Sequence, residues 1–384
     1  MRRVLLAWEF GAGFGHALTL RRIAERLMAR GFHCVAAVKD LSTASILKGA
    51  GIEVLQAPSW KVARSSATLG DALGDAGFAD AEFLRQQLQT WIRIVDQTAP
   101  ALVIADFAPG ASLAARGRIP LGLIGNGYTL PPGSMQTFPL LHHLAPPVRP
   151  EQHVLDVTNS VLRDLQLQPL AHLPELFSGD ACCVHTIPLL DPYARWREHP
   201  LGGPVLERIP KPSTNDASEI LIYLSSWIAP QWSFLNVLQP FAHRVRLFAA
   251  GLPDAERDHF ADMGMRLESK PFDPAKDFAA ARLVIHVGSE GTACLCVMAG
   301  VPQLICAIDV EKELIGKALA EAGIGQFISI YDPAKRLTGE AVAALLADEP
   351  IATLARQMGE RHRKAYPGTD PIAEFEANLV KLVL

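Results

Sequence analysis

Short apolar runs alternate along the chain with longer stretches of helical period, the pattern of βαβ units built on a parallel sheet. Residues 4–8 form the first apolar run. A glycine-rich segment follows, and then Leu20, Ile23, Ala24 and Leu27 fall on one face of a helix that Gly31 ends. Residues 34–38, 102–105 and 121–124 continue the series as strands, and residues 83–95 read as an amphipathic helix before the second of these. From Tyr128 to about Pro212 the rhythm weakens among prolines, leaving residues 182–184 and 187–190 as short apolar pieces. A fresh series then begins, with strands predicted at 220–224, 245–249, 283–287 and 303–307 and helical segments between them. The chain therefore reads as α/β, with two doubly wound, Rossmann-like halves at 1–210 and 219–370. A polar linker at 211–218 joins them, and an amphipathic helix at 371–384 packs back on the body.

Composition narrows the partners. The 384 residues are 49% hydrophobic and 20% charged, as in an ordinary globular enzyme. Thirty-six Lys and Arg against 40 Asp and Glu give a net charge of -4. No basic run is present to neutralise a string of phosphates, so nucleic acid is not an expected partner. Mean hydropathy is +0.17, yet every apolar stretch is interrupted well before the ~20 residues that span a bilayer, so no integral membrane segment is expected. Met1, Arg2 and Arg3 before an apolar run imitate a signal peptide, but Glu9 and the glycines after it interrupt any h-region, and a cytoplasmic location is expected. The six cysteines include the pairs Cys182, Cys183 and Cys294, Cys296, neither with zinc-site spacing. They are expected as small buried side chains, with no bound metal.

The polar residues fall where a parallel sheet binds ligands, just after the strands. The first strand is followed by Gly11, Gly13, Gly15 and His16 at the start of a helix, and the strand at 102–105 delivers Asp106. In the second half, His286 near a strand end precedes Gly288, Ser289, Glu290, Gly291 and Thr292, which open another helix. Glycines let a backbone approach an anion and helix N-termini favour negative charge. Either turn alone is weak evidence, because any tight strand-to-helix connection uses glycine, and His16 as a loop histidine with Asp106 as a helix cap is the plain alternative. Meeting across the sheet, the two would form a dyad in which the carboxylate orients an imidazole that deprotonates a hydroxyl.

At these residues the chain resembles the GT-B glycosyltransferases, the nucleotide-sugar-dependent, family 1-like enzymes that act on small molecules in plants and bacteria. The likeness runs through 11–20 (GAGFGHALTL), 102–120 (LVIADFAPGASLAARGRIP) and, most specifically, 272–302 with its HVGSEGTACLCVMAGVP core, continuing through Glu311 and Lys312 to Gly323. The resemblance implies a GT-B fold of two Rossmann-like domains facing a cleft, the first binding acceptor and the second donor. It puts His16 at the family's catalytic base and Asp106 at its activating carboxylate. His286, Gly288, Gly291 and Thr292 fall in the donor-diphosphate turn, Phe272 at the nucleobase-stacking aromatic, and Glu311 with Lys312 at the donor sugar. Ser225, Ser226, Trp227 and Ser289 extend the donor set. The pattern departs from the family at the extra residue around Glu290, expected to point away from a diphosphate, and at Lys312 in place of the usual Gln, for which an exposed helix position is the commoner fate.

The implied reaction is inverting, metal-independent transfer of a sugar from a UDP- or dTDP-linked donor to a hydroxyl of an apolar small-molecule or lipid-linked acceptor, with no further cofactor. The acceptor's identity and the number of subunits are left open. Phe14, Trp60, Tyr128, Met135, Phe138 and His142 lie in segments suited to an apolar acceptor pocket, though packing within their own domain is as frequent a role for such residues. Three alternatives share the architecture. A nicotinamide-dependent oxidoreductase would use Gly11, Gly13 and Asp40, but His16 takes the place of its third glycine. A nucleotide-sugar 2-epimerase lacks its acidic residues here, and a non-catalytic nucleotide-sugar-binding protein would not need both His16 and Asp106.

Overall fold

The computed structural model describes residues 2–383 other than 64–66, 143–145, 200, 207, 225–231, 330–335 and 369. The chain divides into two compact units, one of Met1–His185, Asp191–Gly203 and Asp370–Leu384, the other of Thr186–Leu190 and Pro204–Thr369. The units are thus not two uninterrupted halves meeting at 211–218: a short piece before that linker belongs to the second, and the C-terminal helix belongs to the first.

The first unit is built on β1 (Arg3–Trp8), β2 (His33–Val38), β3 (Glu53–Gln56), β4 (Leu102–Asp106), β5 (Leu121–Gly125) and β6 (Ala181–Val184). All pair in parallel in the order β3-β2-β1-β4-β5-β6. Helices α1 (Phe14–Ala29), α2 (Ala44–Lys48), α3 (Leu69–Leu73), α4 (Ala81–Thr98), α5 (Pro109–Ala115) and α6 (Glu151–Asp164) connect and cover it. Strands β1, β4 and β5 are buried almost end to end, which is why they read as unbroken apolar runs. Helix α4 starts where the Asp80 carboxylate accepts from the Phe83 amide and turns Leu84, Leu88, Trp91, Ile94 and Val95 inward, about one residue every turn.

The second unit repeats the plan with β7 (Glu219–Leu224), β8 (Val245–Ala249), β9 (Arg266–Leu267), β10 (Ala281–His286), β11 (Gln303–Ala307) and β12 (Gly325–Ser329), in the order β12-β11-β10-β7-β8-β9. Its helices are α7 (Asp254–Asp262), α8 (Glu290–Ala299), α9 (Val310–Glu321), α10 (Gly339–Ala347) and α11 (Glu349–Ala365). In each unit the third strand lies at one edge and the chain then crosses to the far side of the first strand. Loops leaving the first and fourth strands therefore run apart at the carboxyl edge, opening the crevice where such sheets bind ligands. The pairs β1–β4 and β7–β10 mark these two places. The eight predicted strands are present: five gain one residue at an end, those at 245–249 and 303–307 keep their bounds, and the one at 283–287 runs Ala281–His286. Four others lack a buried apolar run: β3, β9 and β12 lie at or beside sheet edges, and β6 is four residues of mixed exposure.

Helix α12 (Pro371–Val383) closes the first unit by laying Phe375 and Leu379 on β5. Gly122 makes that approach possible, since a Cβ there would sit 2.4 Å from Leu379 Cδ2 and 3.0 Å from Phe375 Cζ. Arg26 and Arg30 of α1 reach Glu376, and Arg26 also reaches Asp370, adding charge pairs at the rim of this contact. No helix among the described residues is long and apolar enough to cross a membrane. Leu379→Ala is expected to lower the unfolding free energy by roughly 2–5 kcal/mol in urea titrations, because it removes a fully buried side chain over a glycine that cannot fill the void. Substitution of Glu374 on the exposed face of the same helix should change it by less than about 0.5 kcal/mol.

Candidate functional site

The crevice of the first unit is lined by what leaves β1 and β4. After Trp8 the backbone turns through Gly11 and Gly13, at φ 78 and φ 87, and enters α1 at Phe14. His16 stands in the first turn of that helix. Its Nδ1 lies 2.9 Å from Oδ1 of Asp106, the last residue of β4, and its ring stacks on buried Trp8 at 5.1 Å with 20° between planes. An ionised carboxylate only accepts, so Nδ1 carries the ring proton and Nε2 keeps its lone pair. Asp106 is buried while His16 retains some exposure, with side chains 3% and 15% accessible, so the orienting group is sheltered and the acting one can be reached. The expected dyad is therefore brought together, and Asp106 caps no helix.

Gly11 is required twice over. Its φ disfavours a side chain, and a Cβ would fall 2.4 Å from His16 Nε2. The Lys39 ammonium, from the end of β2, donates to the Gly11 carbonyl at 2.8 Å, and burial holds its pKa below the ordinary value. The Phe10 amide donates to the Phe107 carbonyl at 3.0 Å, tying the β1 and β4 turns together. Asp40, the acidic residue of the oxidoreductase alternative, accepts from the Ser42 amide at 2.8 Å and caps a short 3-10 turn.

The expected acceptor residues separate by burial. Phe14 is 54% exposed, while Trp60, Tyr128 and His142 are half-buried. Trp60 stacks on Phe78 at 4.9 Å, and Tyr128 meets Phe107 edge-on at 6.4 Å. Met135 and Phe138 are buried in their own unit, and Phe138 packs edge-on to Phe177 at 6.0 Å, so these two support the segment from beneath. The Arg197 side chain holds the same segment by donating to the Gly127 and Leu130 carbonyls and pairing with Asp191.

In the second unit the turn after β10 is built differently from its sequence expectation. His286 is fully buried and both ring nitrogens are engaged: the Gly288 amide donates to Nδ1 at 3.1 Å, so Nε2 carries the proton and donates to Gln303 Oε1 at 2.9 Å. Burial lowers its pKa to about 4 against the opposing Gln303 hydrogen bond. His286 therefore offers no free nitrogen to a ligand; it is a neutral post that shapes the turn, and Gln303, which also donates to the Ala293 carbonyl, completes it. Gly288, at φ 86, leaves no room for a Cβ, which would lie 2.7 Å from Ile305 Cγ2. Gly291 is exposed with open space beside it, and the Ser289 and Thr292 hydroxyls share a hydrogen bond of 2.9 Å at the start of α8.

Glu290 is buried as the first residue of α8, and Lys312 is not the exposed helix lysine expected. Its ammonium pairs with Glu311 at 2.7 Å, and both side chains are about one-sixth accessible. Burial acts to lower the Lys312 pKa, but Glu311, Asp309 and Glu290 outweigh it and hold the ammonium above its ordinary value. Phe272 is half-buried, 6.4 Å from Tyr223, with the Arg246 guanidinium 5.3 Å from its ring centroid. Ser225, Ser226 and Trp227 lie outside the described residues. All six cysteines are free thiols, five of them buried and Cys182 exposed, and among the described residues no group of three or more His, Cys, Asp or Glu converges as a metal site would require.

No protein-family model matches the chain, and no curated protein is significantly similar in sequence. Solved structures do match over nearly its whole length. CalG4, the calicheamicin glycosyltransferase, is 21% identical with a TM-score of 0.68, covering 100% of this chain and 99% of that one. The glycosyltransferase VinC in complex with dTDP is 16% identical with a TM-score of 0.62, covering 99% of each chain. The spinosyn rhamnosyltransferase SpnG complexed with thymidine diphosphate is 18% identical with a TM-score of 0.59, covering 97% and 98%. The fold is GT-B, as the resemblance implied.

A neutral buried imidazole makes stability depend on pH. His286 has a folded pKa below its unfolded one, so its contribution is present above about pH 6.5 and is lost as pH falls through about 4. His286→Gln should flatten that fall: across this window the wild type loses on the order of 3 kcal/mol more than the variant in urea titrations. Parallel curves would show that His286 is not held neutral.

Proposed function

We propose that the protein is a glycosyltransferase that moves a sugar from a UDP- or dTDP-linked donor to a hydroxyl of an apolar small-molecule or lipid-linked acceptor. The observation that carries this reading is the His16–Asp106 pair of 2.9 Å at the carboxyl ends of β4 and the β1 turn. Support comes from the fold shared with natural-product glycosyltransferases, two of whose structures hold dTDP.

In this reading His16 Nε2 takes the proton of the acceptor hydroxyl as its oxygen attacks the anomeric carbon. The bond from that carbon to the diphosphate oxygen breaks, and the nucleoside diphosphate leaves with the electron pair. A single displacement inverts the anomeric configuration. Asp106, already bonded to Nδ1, stabilises the imidazolium that forms and keeps the ring from rotating. Stacking on Trp8 fixes its second axis. Charge gathering on the leaving diphosphate is met by the first amides of α8 and by the Ser289 and Thr292 hydroxyls, with no divalent ion called on. Glu311 accepts from donor-sugar hydroxyls, and Phe272 offers its ring to the nucleobase.

The test is release of nucleoside diphosphate from a panel of UDP- and dTDP-sugars with apolar hydroxylic acceptors. Acceptor-dependent release, unchanged by EDTA, is expected. His16→Ala should lower kcat by ~10²–10⁴-fold, with dTDP or UDP affinity measured by calorimetry unchanged. Nucleotide binding without turnover in the wild type, sugar isomerisation without transfer, or loss of nucleotide affinity in His16→Ala would each overturn the assignment.

A further inference from the structure

Glu9 follows β1 directly and has no part in the chemistry above. It is 1% exposed, and its carboxylate meets only N–H donors. Oε1 accepts from the Trp60 indole at 2.8 Å and from the Trp91 indole; Oε2 accepts from the Gly110 amide at 2.7 Å and the Ala111 amide at 3.4 Å. Two donors on each oxygen suit the anion, whereas a protonated carboxyl would aim its O–H at one of them. Gly110 is fixed by the same arrangement, because a Cβ there would lie 2.5 Å from Glu9 Oε1 and 2.6 Å from Trp60 Cζ2.

Three elements meet on this one carboxylate: the segment after β3 that carries Trp60, helix α4 through Trp91, and the first turn of α5, where Gly110 stands four residues beyond Asp106. Trp60, stacked on Phe78, also belongs to a series of rings that runs toward the turn after β4. Phe10 lies 5.3 Å from Trp60, Phe107 lies 5.5 Å from Phe10, and Tyr128 follows at 6.4 Å. All four rings are half-buried. Phe107 directly follows Asp106 and takes φ 46, a backbone conformation that a bulky residue adopts only when its surroundings impose it. The carboxylate thus anchors both Trp60 and the turn next to the dyad.

We propose that Glu9 is a positioning residue for acceptor binding, its carboxylate fixing Trp60 and the turn after Asp106 so that the ring series forms a wall beside His16. This rests on the transferase reading. Burial pushes the Glu9 carboxyl up to about 7, partly opposed by the hydrogen bonds from Trp91, Trp60, Gly110 and Ala111. The segment after β3, α4 and α5 face the carboxylate with two indoles and two peptide N–H groups. Protonation would leave at least one of these buried donors without its acceptor.

Two measurements test the proposal. The first needs no turnover. Near-ultraviolet circular dichroism of the resting protein should titrate with a midpoint near pH 7. The transition should vanish in Glu9→Gln, and its Trp60 component should vanish in Trp60→Phe. The second uses 4-methylumbelliferone as acceptor probe with the donor that the panel identifies. Glu9→Gln should raise the acceptor KM about tenfold, with the donor KM unchanged, and Trp60→Phe should raise it in the same direction. Should Glu9→Gln fail to fold, Glu9→Asp takes its place: its shorter carboxylate should raise the acceptor KM in the same direction, and the spectral transition should move away from the wild-type midpoint rather than vanish. An unchanged acceptor KM, a parallel rise in both KM values, or a wild-type spectrum flat through pH 7 would overturn the role given to Glu9. Absence of transfer with every donor would instead overturn the transferase reading and with it the acceptor role, while the spectral titration still decides whether the carboxylate holds Trp60.

Discussion

The bond between His16 Nδ1 and Asp106 decides what the first unit can do, because it settles which ring nitrogen is free. A histidine in a glycine-rich turn would otherwise exchange tautomers and rotate, and neither state would be a dependable base. Here Asp106 is delivered by a buried strand, so its carboxylate is fixed by the sheet itself. The partner is less rigidly placed, since α1 begins only two residues before His16 and Gly13 at its N-cap makes no side-chain capping bond. Stacking on Trp8 and the shortness of Gly11 supply the missing constraint. The order of the strands matters to this: β1 and β4 are neighbours in the sheet but not in sequence, so groups about ninety residues apart come within hydrogen-bond reach.

Two other buried ionisable groups stand at the carboxyl ends of strands and are resolved in opposite ways. His286 at the end of β10 is kept neutral, with one ring nitrogen donating and the other accepting, so burial costs little as long as the proton stays off. Glu9 just past β1 is surrounded wholly by donors, and such a shell favours the anion even while burial opposes it. The first arrangement gives a rigid, uncharged scaffold for the turn that opens α8. The second places a charge whose retention is conditional on four neighbours keeping their positions. Such a group is costly as pure scaffolding, since an apolar residue would fill the space without a desolvation penalty.

Much of this was legible in the residues alone. The central strands β1, β2, β4, β5, β7, β10 and β11 announce themselves because both faces are largely buried and most of their positions are apolar. Edge strands such as β3, with Glu53 and Gln56 exposed at its two ends, carry no such mark. His16 and Asp106 were readable as a pair because both follow strands that must lie side by side in a doubly wound sheet. Glu9 was not, because its significance depends on Trp60, Trp91 and Gly110, which lie 51, 82 and 101 residues further along the chain and are joined to it only by folding. The role of His286 also turned on a partner, Gln303, which the register pairs with Val284, two residues before His286 and on the same face of the sheet.

The two departures in the donor turn belong together. A carboxylate added at the start of α8 would repel a diphosphate, and at a separation of about 4 Å an uncompensated pair of like charges costs roughly 4 kcal/mol at the effective dielectric of a protein surface. Lys312 comes from α9, whose backbone passes behind Gly288, close enough that a Cβ on that glycine would be 3.2 Å from the lysine Cβ. Its ammonium is held charged by Glu311, Asp309 and Glu290 together. An added negative charge in one helix is therefore answered by a positive one in the next, where a neutral glutamine would leave it unanswered. The compensation is incomplete, since three carboxylates act on one ammonium.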